Sequence, residues 1–170
     1  LAAAGCRSFG VAEAHEALEI LSTLKEVGAQ ADVQILSSVL PWEVDEMVSS
    51  GVILPVTGFE EAKAISNAAL KYNKIQRVNL KIDTGMGRLG ILATGEGGKE
   101  KALSIIDKIL SLPNLEFNGI FSHCAMAYER EDPFTGDQIS LFKAIVSEVQ
   151  KKGVCFRNIH IAASDAINNF

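Results

Sequence analysis

Six short apolar, β-branched runs lie along this chain, and each of the first five gives way to a turn and then to apolar residues at helical spacing. The runs are Ser8–Ala12, Asp32–Leu36, Gly51–Val56, Arg77–Ile82, Phe117–Ser122 and Asn158–Ala162. Helical patterns follow at 13–27, 43–50, 59–72, 100–112 and 138–152; the first carries Ala14, Ala17, Leu18, Leu21 and Leu24 on one side. Strands that alternate with helices pair in parallel through right-handed crossovers. Two architectures satisfy that pattern: a doubly wound open sheet and an eight-stranded (β/α) barrel. No GxGxxG follows the first run, whereas polar residues gather just past several run ends, at Ser37-Ser38, Lys81 to Arg88, His123 and Ser164. This favours an α/β fold of the (β/α)8 TIM type. Six units in 170 residues, against about 250 for eight units, predict an incomplete barrel.

Composition narrows the function classes. Hydrophobic residues make up 48% of the chain and charged residues 22%, which suits a packed domain. A net charge of −5, with no cluster of Lys or Arg, argues against nucleic acid as a partner. No apolar run reaches the ~20 residues of a membrane span. Cys6, Cys124 and Cys155 fall in neither a disulfide framework nor a zinc spacing, which predicts reduced thiols, no metal and a cytoplasmic setting. The opening Leu1–Cys6 reads as the tail of a helix, so the chain is expected to begin inside a longer protein.

The densest chemical signal is Lys81-Ile-Asp-Thr-Gly-Met-Gly-Arg-Leu-Gly90. Period-two alternation puts Asn79, Lys81 and Asp83 on one strand face, which in a barrel is the interior. Glycines let the backbone approach a ligand, and Arg88 offers a planar fork of donors to an anionic oxygen. Taken alone, the segment also fits a solvated turn. His123, directly after the fifth run, fits either a site at the barrel mouth or a structural histidine. Ser164, between the sixth run and a helix, fits either a phosphate contact or an ordinary helix cap. His15 lies on an amphipathic helix, and Trp42 is expected to pack against the core, as is Phe142. Gln138 is expected to start the fifth helix.

The decapeptide closely resembles the signature of alanine racemases, in which a strand ending in Lys leads into DTGMGRLG. Gly119–Ala125, Phe134–Gln138 and His160–Ala166 are similar to further family segments, so the likeness spans the chain. It implies pyridoxal 5'-phosphate as cofactor and L- and D-alanine as substrates, for peptidoglycan precursor synthesis. It also implies a homodimeric parent. Arg88 would bind the cofactor's phenolic oxygen and lie near the substrate carboxylate. Lys81 corresponds to the family's often carbamylated lysine, His123 to a histidine near the cofactor ring, and Ser164 to a phosphate-binding serine. Ala163 and Asp165 depart from the family's Ala-Asn-Ser-Ala at this last segment.

The family's cofactor-linking Lys lies on the first barrel strand, and its opposing Tyr on the C-terminal β-domain of the partner subunit. Residues 1–170 are therefore expected to be part of the N-terminal barrel domain, lacking the first strand, the last strand and the β-domain. No catalytic proton-transfer residue is then present, and the chain alone should be inactive. A serine racemase domain, or a non-catalytic remnant or binding module, are the alternatives. Pyridoxal-phosphate homeostasis proteins and group-III decarboxylases share the barrel without the DTGMGR segment.

Overall fold

In the computed structural model, which describes all of residues 1–170, seven strands and six α-helices alternate except at the fourth and fifth strands, which are consecutive. The strands are β1 (Ser8–Val11), β2 (Asp32–Ile35), β3 (Leu54–Val56), β4 (Gln76–Asp83), β5 (Ile91–Leu92), β6 (Leu115–Phe121) and β7 (Asn158–His160). The helices are α1 (Ala14–Glu26), α2 (Val44–Ser50), α3 (Phe59–Lys71), α4 (Gly98–Leu110), α5 (Phe134–Lys151) and α6 (Ser164–Asn169). All strand pairings are parallel: β1 with β2, then β3-β4-β6-β7, joined by a single bridge from Gln34 to Ile53. The six principal strands thus follow chain order without reversal. A doubly wound sheet reverses its order at a switch point, whereas a barrel advances in one direction. The arrangement is an incomplete barrel.

Alternation along the strands divides the molecule into two environments. In β4, Val78, Leu80 and Ile82 face outward into a core of 29 buried residues. That core is completed by helix positions such as Ala17, Met47, Ala62, Ile65, Ile106 and Ile145. Burying the Val, Leu, Ile and Met side chains among them contributes about 1.5–3 kcal/mol each. The opposite face of β4 lines a polar interior. There Arg77 pairs with Asp32 at 2.7 Å, and Asn79 donates to Gln34 Oε1 at 2.6 Å. A bulge places Asn118 as an extra residue of β6, and its amide donates to Asn79 Oδ1 at 3.0 Å. Space here is tight. A Cβ on Gly119 would stand 2.7 Å from Asn79 Oδ1 and 2.8 Å from the Asn158 carbonyl oxygen.

Local differences from the sequence reading have physical causes. Gly51 caps α2 in the left-handed region (φ 83°), so the third strand begins only at Leu54. The fifth helix starts at Phe134, whose N–H donates to Asp132 Oδ1 at 2.8 Å; Gln138 therefore lies one turn inside the helix and does not start it. The chain opens with a 3-10 turn, Ala2–Ala4. Trp42 does not pack. It sits on the outside of a turn closed by the Glu43 N–H and the Leu40 carbonyl, and 76% of it is exposed. Strand β5 follows the glycine-rich segment directly, where the sequence reading expects no strand, and it pairs Ile91 with Ile82 and Leu92 with Asp83.

Candidate functional site

Because the strands are parallel, their C-terminal ends share one rim, and the polar segments that follow them converge there. Lys81, near the end of β4, is only 5% exposed. Its ammonium donates to the Leu36 carbonyl, on the segment following β2, and lies 5.2 Å from the centre of the Phe121 ring. Burial pushes its pKa down, and the neighbouring Arg88 guanidinium pushes it further. Past the strand, Asp83 organises the glycine-rich loop: one carboxylate oxygen accepts the N–H groups of Gly85 (2.9 Å) and Gly87 (3.1 Å). Arg88 emerges from that loop exposed and in no salt bridge.

Two adjoining cavities meet at Lys81 and Arg88. One, of about 320 Å³, is walled by the ends of the first two strand units, including Gly10, Leu36 and Ser37. The other, of about 290 Å³, adds Phe121, His123, His160 and Ala163. Half-buried His123 has its pKa lowered by burial, then by Arg88 and Lys81, which favours a neutral imidazole. His160 stacks on Phe121 with ring centres 5.1 Å apart; burial lowers its pKa, and its Nε2 is buried without a hydrogen-bond partner. Beside His123, burial pushes the Cys124 thiol up, which disfavours a thiolate. A larger apolar cavity of about 540 Å³ lies between α5 and β7, away from the glycine-rich loop.

Lys81, Arg88 and His123 therefore stand around one space. Ser164 opens α6 on the same rim but is exposed, one residue beyond the cavity-lining Ala163. His160 and Phe121 carry no site signal in the sequence: both lie within strand runs, unlike His123, which directly follows one. No three His, Cys, Asp or Glu side chains gather as metal ligands, and no helix is long and apolar enough to cross a membrane.

The two lowered histidines set a pH dependence. Unfolded, each titrates near ~6.5; folded, each resists protonation, so below that value the unfolded state binds more protons. Stability is expected to fall as pH drops from 7 to 5, before most carboxylates titrate. His160→Phe, which keeps the stack and removes the orphaned nitrogen, should make the fall shallower in urea melts. An unchanged slope would refute this account.

The family model of the alanine racemase N-terminal domain matches residues 1–170. An alanine racemase of Halothermothrix orenii is 32% identical over 171 aligned residues, covering 100% of this chain and 42% of the relative. One of Clostridium tetani is 31% identical, covering 96% of this chain and 40% of the relative. The chain thus spans about two fifths of the length of these curated relatives. Among solved structures, alanine racemase of Clostridium difficile 630 superposes with a TM-score of 0.82 at 23% identity, over 95% of this chain and 40% of that one. Alanine racemase from Bartonella henselae with covalently bound pyridoxal phosphate gives 0.77 at 22% identity, over 97% and 44%. These structures speak to the fold, and the sequence matches speak to descent. By descent the chain belongs to the alanine racemase N-terminal domain family, and by fold its six principal strands are part of that family's TIM-type barrel.

Proposed function

We propose that this chain is the cofactor-facing middle of a pyridoxal-phosphate-dependent racemase that interconverts L- and D-alanine. In this reading the complete protein works as a cytoplasmic homodimer and supplies D-alanine for peptidoglycan precursors. The observation that carries it is the convergence of Lys81, Arg88 and His123 on one space at the strand ends. Pyridoxal phosphate, when bound, supplies an electron sink that acidifies the α-carbon of an amino acid.

The donor chemistry fits such a group. An exposed guanidinium outside any salt bridge, a histidine held neutral and an orphaned imidazole nitrogen suit a planar ring bearing anionic oxygens. Arg88 would hold the phenolic oxygen and orient the substrate carboxylate with its forked donors. His123 would lie beside the ring as a neutral group, adding no charge. Ser164 offers an accessible hydroxyl to the phosphate, although exposed Asp165 beside it works against an anion.

Lys81 has the further role of anchoring Arg88. Its depressed pKa enlarges the fraction of free amine, the form that adds to carbon dioxide. In that addition an N–C bond forms and the nitrogen releases a proton, leaving a carbamate anion. Arg88 then faces an opposite charge instead of a like one. Neither group that exchanges protons at the α-carbon belongs to residues 1–170 in this reading.

The test uses the complete protein with added pyridoxal phosphate, following D-isomer formation from L-alanine and, in parallel, L-serine. Alanine turnover well above the protein-free cofactor control is expected. A folded protein giving no turnover would sink the reading, and faster serine turnover would reassign the substrate. Labelled bicarbonate should give a carbamate carbon signal that disappears in Lys81→Met. Its absence from the parent protein would remove the anchoring role.

A further inference from the structure

Arg88 and His123 reach the cavity from different loops, and one buried side chain joins those loops. Gln138 is only 1% exposed, and it projects from α5 between them. Its Nε2 donates to Thr84 Oγ1 and to the His123 carbonyl, each at 3.3 Å, while its Oε1 accepts the Ala125 N–H at 2.9 Å. Thr84 opens the glycine-rich segment that leads to Arg88, and its hydroxyl also meets Ser122 Oγ at 2.9 Å. Only an amide provides two donations and one acceptance from a single planar group. Buried polar groups of this kind are costly when unpaired, so the network resists any relative sliding of the loops.

We propose that Gln138 is a positioning residue that fixes the His123 segment relative to the Arg88 loop, and thereby the geometry of the cofactor and substrate space. The inference rests on the function proposed above only for its activity readout. The β4–β6 ladder ends at the Lys81–Phe121 pair, so beyond it, without Gln138, the side-chain coupling between the two segments reduces to the Thr84–Ser122 contact. The imidazole of His123 reports on the arrangement independently of activity, since Arg88 and Lys81 both act on its titration.

The test compares Gln138→Met with Thr135→Val in the complete protein. Thr135 lies one turn earlier in α5, fully buried, with its hydroxyl unpartnered, so an isosteric apolar replacement controls for disturbance of the helix. With Gln138→Met, NMR titration of His123 without added ligand should show its pKa rising toward its ordinary value. Racemase kcat/KM should fall at least tenfold, mainly through kcat. Thr135→Val should change neither. If Gln138→Met does not fold, Ser122→Ala decides, with a smaller shift of His123 in the same direction expected. A folded Gln138→Met, or failing that Ser122→Ala, in which His123 titrates as in the parent overturns the proposal. Absence of racemase activity in the parent would count against the proposed function, while the titration would still decide the role of Gln138.

Discussion

If the complete protein has the proposed racemase activity, replacing Arg88 by Ala is expected to lower its kcat/KM for alanine by about 10²–10³-fold, the usual cost of deleting a preorganised donor to an anionic oxygen. The melting temperature should barely move. Arg88 is exposed and in no salt bridge, and surface changes of that kind stay within roughly 0.5 kcal/mol. A large loss of activity with little loss of stability is the signature of a group held ready for a ligand. Arg88→Lys should recover little, because a point charge replaces a planar fork. Charge supplies a second readout. Arg88 lowers the pKa of both Lys81 and His123, so its removal should let both rise. Wild-type kcat/KM in Arg88→Ala would remove this residue from the site.

The largest loss of stability is expected from Gly90→Ala. Gly90 adopts φ 131°, a region that side chains rarely enter. Its conformation turns the chain so that β5 can pair with the end of β4. A Cβ there would stand 2.7 Å from the Asp83 nitrogen, 2.9 Å from the Ile82 carbonyl carbon and 3.0 Å from the Lys81 oxygen. These are backbone atoms of a central strand, so they cannot rotate away. Strain and overpacking together should cost roughly 3–5 kcal/mol, lowering the melting temperature by about 10 °C for a domain of this size. Gly87→Ala separates the two causes. Gly87 also has positive φ (70°) but has open space around it, so about 1–2 kcal/mol is expected. Equal losses in the two variants would show that backbone angle alone matters and that the contact with β4 does not.

Much of the architecture was legible because it rests on periodicity, which is local. The alternation in Arg77–Ile82 defines both faces of β4, and residue parity alone puts Lys81 on the inner one. Short strands were harder. Asn158–Ala162 reads as five strand residues, yet only Asn158–His160 pair, with β6 as their partner. Pairing extends only as far as a neighbour supplies hydrogen bonds, and the neighbour is remote in sequence. Trp42 shows the same limit, since an aromatic residue packs only if the turn carrying it points inward.

The candidate site divides along the same line. Lys81 and Arg88 lie seven residues apart in one segment, and residue type and spacing already bring them together. The sequence by itself therefore favoured the barrel class and determined the inward face of β4 and the place of the glycine-rich loop that carries Arg88. Only tertiary structure decided what surrounds them: Leu36 receiving the Lys81 ammonium, Phe121 and His160 closing one wall, and Gln138 bridging to Thr84 across 54 residues. Such contacts depend on which strands become neighbours and how the loops close over them. A helix or strand pattern records the environment of one element, not the partner that a buried side chain will meet.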